Sequence, residues 1–147
     1  MKKQKIELKV FDEICRPSKI KKGDWIDLRS SKDYTLDPGM FQLIDLGIAM
    51  KLPAGFEAHI VPRGSTYKNF GVIQTNHCGI VDNTYCGPKD VWKFPALNPS
   101  MHNTVHIHRG DRICQFRIVE NQPEIEFVDS NLEENEDRGA FGSTGKN

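Results

Sequence analysis

The chain has 147 residues, enough for one domain with a core of its own. Its 20 Lys and Arg balance 20 Asp and Glu, which disfavours a general nucleic-acid or membrane-surface binder and requires any anion site to be local. Each apolar stretch is broken by charge, Gly or Pro well short of the roughly 20 residues of a membrane span. The lysine-rich start also lacks the apolar region and cleavage site of a signal peptide, so a cytosolic protein is expected.

The first element is a strand in which Ile6, Leu8 and Val10 alternate. In Gly23-Asp24-Trp25-Ile26-Asp27-Leu28-Arg29, Asp27 either orients a metal-bound water or caps a turn. Strands follow at 41–44 and 57–61, each preceded by a turn, Asp37-Pro38-Gly39 and Leu52-Pro53-Ala54-Gly55. Pro62-Arg63-Gly64-Ser65-Thr66 then leads into about one helical turn, with Ser65 as cap and Gly71 as stop. Backbone N–H groups at that start and the Arg63 charge suit an anion; a surface arginine before a capped turn is the plainer reading.

After a strand at 71–74, residues 79–87 carry an apolar run into a polar turn and out through an aromatic, the pattern of a hairpin. Asp82 is there either a turn former or a positioned base, and Tyr85 either packing or a ligand platform. Trp92 and Phe94 are expected at an edge or subunit contact. His106 and His108 share a strand face, with His102 nearby, but no third ligand falls at metal-site spacing, so a polar strand face is expected. Gly110-Asp111-Arg112-Ile113-Cys114-Gln115 is a turn feeding a strand to 119, with Asp111 and Arg112 able to pair in the turn. A last strand is expected at 125–128. Short strands between Pro- and Gly-rich turns indicate an all-β barrel or jelly-roll-like sandwich. None of Cys15, Cys78, Cys86 and Cys114 forms a C-x-x-C pair, and all are expected to be thiols, although Cys78 and Cys86 flank the hairpin.

Residues 129–147 are acidic, then glycine-rich, and too poor in apolar side chains to build a core. They nevertheless carry a cation, a ring and two hydroxyls: Arg138, Phe141, Ser143 and Thr144. The ending Gly142-Ser143-Thr144-Gly145-Lys146-Asn147 is no P-loop, because Lys146 is not followed by Ser or Thr and a helix.

Taken in order, these segments resemble the five motifs of the trimeric dUTPase family. Asp27-Leu28 is similar to the first and Pro62-Arg63-Gly64-Ser65 to the second. Residues 79–87, Gly-Ile-Val-Asp-Asn-Thr-Tyr-Cys-Gly, are similar to the third. Residues 110–115 resemble the fourth, and Arg138-Gly139-Ala140-Phe141-Gly142-Ser143-Thr144-Gly145 the fifth. The resemblance covers nearly the whole chain, and the Trp25 and Tyr67–Gly71 context is most similar to Gram-positive bacterial and phage members.

This resemblance implies a jelly-roll-like β domain over 1–128 that assembles as a homotrimer. It also implies a C-terminal arm, 129–147, that closes over a neighbouring subunit's active site. It implies hydrolysis of dUTP to dUMP and pyrophosphate with Mg(II), by water attacking the α-phosphorus. Asp82 would be the base. Asn76, Gly79, Ile80, Tyr85 and Phe141 would bind uracil and deoxyribose, with Tyr85 excluding a 2′-hydroxyl. Arg63, Gly64, Ser65, Gln115, Arg138, Ser143 and Thr144 would hold the phosphates, and Asp27 would orient a magnesium-bound water. The departure from the family pattern is Gly64, where the second motif normally carries serine; a slowed enzyme is expected. Two alternatives use the same scaffold: a nucleotide-sensing regulator with a protein partner, if the chain is phage-derived, and a dCTP deaminase relative.

Overall fold

The computed structural model describes residues 2–142 and 144–147, and its regular structure is mostly strand. In chain order these are β1 (Glu7–Val10), β2 (Ile26–Arg29), β3 (Tyr34–Leu36), β4 (Phe41–Asp45), β5 (Ile48–Lys51) and β6 (Phe56–Pro62). A 3-10 turn at Glu13–Cys15 follows β1, and one turn of α-helix, α1 (Thr66–Phe70), precedes β7 (Ile73–Gln74), β8 (Gly79–Val81), β9 (Lys93–Leu97), β10 (Val105–Ile107) and β11 (Arg112–Glu120). The sheets run β2-β11-β6-β8, β4-β9-β7, β1-β5 and β10-β3, with antiparallel pairing throughout. Inward-facing residues of these sheets meet in one core containing Leu28, Ile44, Ile60, Phe94, Ile107 and Phe116.

Trp92 and Phe94 lie in that core rather than at an edge, 1% and 0% exposed. The Trp92 ring meets Phe116 edge-to-face, with centroids 5.2 Å apart. Phe94 and Ala96 are the inward positions of β9, so the strand's alternation, not the size of its residues, decides which face they take.

Two local features position the site. Gly71 ends α1 in the left-handed conformation at φ 67°, and a Cβ there would stand 2.8 Å from Val105 Cγ1, so glycine is required both by backbone and by space. Ser65 makes no side-chain cap. Thr66 instead ties the turn to its neighbours: its buried hydroxyl accepts from Arg63 N–H (2.8 Å) and donates to the Ile113 carbonyl of β11 (2.8 Å). The second feature is a bulge in β11, where the step from Arg112 to Cys114 spans one residue of β2. Arg112 and Gln115 are an odd number of residues apart and would face opposite ways in a regular strand; the bulge turns both into the same cavity.

The expected strand at 125–128 is absent among the described residues, and Ile125, Phe127 and Val128 are 52%, 94% and 76% exposed. The alternation is present, but no sheet edge of the same chain pairs with it, and an unpaired extended segment is not a strand.

Candidate active site

A cavity of about 310 Å³ opens at the C-terminal end of β6, where β6, β2 and β11 lie side by side. Asp27, Arg63, Gly64, Ser65, Arg112 and Gln115 line its inner part, and Asp24 and Trp25 its outer wall. The Asp27 carboxylate, 15% exposed, is shared by both arginines: Oδ1 is 3.0 Å from Arg63 Nε and Oδ2 is 3.2 Å from Arg112 Nη1. Arg63 Nη1 also donates to the Arg112 carbonyl (3.2 Å), and Gln115 Nε2 donates to the Pro62 carbonyl (3.1 Å). Two guanidinium groups against this one carboxylate leave a local positive charge on a chain of zero net charge, and the carboxylate holds the arginines ready for an anion. Arg112 therefore does not pair with its neighbour Asp111, which instead accepts from His108 N–H (2.7 Å).

Gly64 lies on the exposed rim of this cavity. A Cβ built there meets nothing within 4 Å, so a serine fits without displacement. The adjacent Ser65 hydroxyl, free of any cap bond, is left to the cavity.

The hairpin forms the second half of the site. β8 pairs with β6, Val81 opposite Ala58 and Gly79 opposite Ile60. Val81 turns into the core, while Ile80 is 58% exposed on the opposite face. Asp82 follows in the exposed turn and is the turn former that its sequence context allowed. Its Oδ1 accepts from the Thr84 hydroxyl and the Thr84 N–H, closing the turn. Its Oδ2 has no hydrogen-bond partner among the described residues. The Thr84 hydroxyl first, then the Thr84 N–H, hold the carboxyl below the ordinary aspartate range, so it is ionised near neutrality. Tyr85 donates its hydroxyl to the Val91 carbonyl (2.9 Å), and its own titration is pushed up by partial burial and then by Asp90.

Asn76 is oriented by a residue that sequence reasoning missed. The buried Gln74 donates from Nε2 to Asn76 Oδ1 (2.7 Å) and to the Ile60 carbonyl (3.0 Å). Asn76 Nδ2 is thereby brought to 3.6 Å from where a Gly79 Cβ would sit. Gln74 was detectable as the one polar residue at the end of the apolar run 71–74, where burying an amide requires partners.

The two halves do not meet within one chain. Asp82 lies one step beyond Val81, toward the start of β6, and Arg63 follows the end of β6. Six steps along the strand separate them, roughly 20 Å at about 3.3 Å per residue. The third set of expected residues is also apart. Arg138, Phe141 and Thr144 are exposed in a segment without regular structure, and Ser143 lies outside the described residues.

No group of three or more His, Cys, Asp or Glu able to hold a metal occurs among the described residues. The histidines have other partners: His106 Nδ1 meets the Thr35 hydroxyl at 3.2 Å, and His108 Nδ1 lies 3.8 Å from Asp111. Cys78 and Cys86 are free thiols, one half-buried and one exposed.

Residues 12–145 match the family model described as dUTPase. The chain is 50% identical over 141 residues to the SPbeta prophage-derived deoxyuridine 5'-triphosphate nucleotidohydrolase YosS of Bacillus subtilis, covering 95% of this chain and 97% of that one. The fold is similar to that of a Staphylococcus bacteriophage 80alpha dUTPase variant solved with dUpNHpp, with a TM-score of 0.78 at 21% identity, covering 97% and 99% of the two chains. It is also similar to a dUTPase variant of phage phi11 of S. aureus described with a structural Mg(II) ion, with a TM-score of 0.75 at 18% identity over 87% and 99%.

Proposed function

The chain belongs to the dUTPase family, and from that premise we propose that it hydrolyses dUTP to dUMP and pyrophosphate at sites completed between copies of itself. The observation that carries the shared-site reading is the separation along β6. A base must reach the water that attacks the α-phosphorus, while the arginine pocket must hold phosphates a few ångströms away. Asp82 and Arg63 of one chain, roughly 20 Å apart, cannot serve one triphosphate. The hairpin of one copy set against the arginine pocket of another can.

Within such a site Asp82 holds the water through Oδ2 and takes its proton, while Thr84 keeps Oδ1 fixed. Arg63, Arg112, Ser65 and Gln115 grip the phosphates. The edge of β8, with Gly79, Ile80 and the oriented Asn76 amide, receives the uracil, and Tyr85 packs against the deoxyribose. The pocket fits a magnesium ion that arrives with the triphosphate and keeps mostly water ligands: its one inner carboxylate, Asp27, is already shared by two arginines and is suited to orienting a water. When bound, such an ion neutralises phosphate charge and fixes phosphate geometry.

A homotrimer with exchanged arms is supported by the exposed Ile125, Phe127 and Val128, and by β1, an edge strand flanked by grooves lined by Leu8 and Met50. Residues 125–128 of one copy add to such an edge as a strand, and 129–147 continue as an arm bringing Arg138, Phe141, Ser143 and Thr144 over a neighbour's nucleotide. No helix among the described residues is long and apolar enough to cross a membrane. A cytosolic location is part of the proposal, as the place where a free nucleotide substrate is met.

The deciding experiment is pyrophosphate release with dUTP and dCTP, with ammonia measured alongside. Pyrophosphate from dUTP alone is expected. Ammonia from dCTP identifies a deaminase, and nucleotide binding without product identifies a sensor.

Gly64→Ser is expected to raise turnover at least severalfold without altering assembly. The backbone accepts a side chain there and space is open. A hydroxyl bonded to phosphate is worth about 1.5–3 kcal/mol, or ten- to a hundredfold if felt only in the transition state. Turnover and dUTP affinity measured for both forms check this; equal rates mean that Ser65 already supplies the contact.

A further inference from the structure

The Tyr85 ring is not held by the hairpin alone. It stands at the start of a closed loop, 85–91, whose far end is anchored in the core. Trp92 donates its N–H to the Ile48 carbonyl (2.9 Å) and accepts at its own carbonyl from Leu46 N–H (3.0 Å), with its indole buried. Between these ends Asp90 closes the loop on itself. Its Oδ2 accepts from Gly87 N–H (2.8 Å) and its own N–H donates to the Gly87 carbonyl (3.1 Å). That double closure sets the Val91 carbonyl 2.9 Å from the Tyr85 hydroxyl. Lys9 from β1 adds an outer tie, donating to the Pro88 carbonyl (2.9 Å).

The consequence is chemical. A tyrosine hydroxyl has one hydrogen, and here it is spent on Val91. The ring therefore meets the sugar as an aromatic surface without a free donor. A ribose 2′-hydroxyl pressed against the ring face loses water and finds no donor there, whereas a deoxyribose carbon loses nothing.

We infer that Asp90 is a positioning residue for Tyr85 and through it a determinant of deoxyribose over ribose selection. The inference rests on the reading of Tyr85 as the sugar-facing residue. With the Asp90 clamp removed, the loop loosens, the Val91 carbonyl leaves the hydroxyl, and the ring regains both mobility and a donor able to satisfy a 2′-hydroxyl.

The test compares kcat/KM for dUTP and UTP in the full-length enzyme and four variants. Asp90→Ala is expected to narrow the dUTP/UTP ratio by about fivefold or more, chiefly through a better KM for UTP. Asp90→Asn keeps an oxygen that can accept from Gly87 N–H and is expected to retain most of the ratio, a rescue that a general loss of stability does not produce. Gly87→Ala is the second disruption: its Cβ would stand 2.9 Å from Asp90 Oδ2, displacing the carboxylate without deleting it, and it is expected to narrow the ratio too. It carries the test if Asp90→Ala fails to fold. Tyr85→Ala separates the two levels. If it leaves the ratio unchanged, the sugar-facing role of Tyr85 is wrong and the inference falls with it. If Tyr85→Ala narrows the ratio while Asp90→Ala or, failing that, Gly87→Ala leaves it intact, the role of Tyr85 stands and that of Asp90 is overturned.

Discussion

Asp82→Asn is expected to lower dUTP turnover by about a thousandfold or more while leaving fold, assembly and nucleotide affinity in place. A positioned general base contributes roughly a hundred- to ten-thousandfold, and holding the water in line adds to that. Asparagine separates the two tasks of this residue. Its side-chain oxygen still accepts from Thr84, so the turn that shapes the hairpin survives. The outward position becomes an amide, which takes no proton. A melting temperature and a dUTP-analogue affinity close to the parent's, beside collapsed turnover, are the expected set; turnover within tenfold of the parent removes Asp82 from the base role. The pH profile carries a related sign. Thr84 depresses the Asp82 titration from its ordinary 3.8, so the ionised base persists down to that range and activity due to it is lost only as pH falls through the lowered value. Thr84→Val removes the largest cause of the depression and is expected to move the acid limb of kcat/KM upward.

Truncation after Asn135 is expected to leave assembly and melting temperature unchanged while cutting kcat/KM by at least about a hundredfold. The described residues of the deleted segment are exposed and belong to no strand or helix, so their loss removes no core. What is lost is Arg138, Phe141, Ser143 and Thr144. Hydrogen bonds from such groups to a charged triphosphate contribute about 1.5–3 kcal/mol each, and two of them exceed the stated loss. Closure over the nucleotide also excludes bulk water. Sedimentation, thermal melting and dUTP kinetics on the same preparation check the three statements. Full activity after truncation shows a tail without a role.

What the sequence reveals and what it hides divide along a physical line. Gly71 was readable as a helix stop because one residue's backbone freedom decides it. The short helical turn after Pro62 was readable for the same reason, since a polar start and a glycine stop are local features. The Asp27–Arg112 pair was hidden: it depends on the register of β2 against β11 and on one bulged residue. Local reading offered Asp111 as the partner because adjacency is the only proximity a sequence displays. Gln74 stood out as a polar residue in an apolar run, but its hold on Asn76 was hidden because that is a matter of side-chain direction inside a core. Residues 125–128 show the opposite error. Their alternation is genuine, but strand formation also requires an edge, and the single chain offers them none.

The distance along β6 also has a genetic meaning. On the proposed division of catalysis between copies, a lesion in the base and a lesion in the arginine pocket are defects of different partners. An Asp82→Asn chain retains a sound Arg63, and an Arg63→Gln chain retains a sound Asp82. Each is inert alone. In randomly mixed assemblies about one site in four draws its sound half from each parent and works. Two null alleles therefore complement, and up to a quarter of the parental activity returns on co-expression. A single lesion co-expressed in equal amount with the parent behaves otherwise: a site works whenever its altered half comes from the parent, so about half of the sites work and the parent's share of activity is kept.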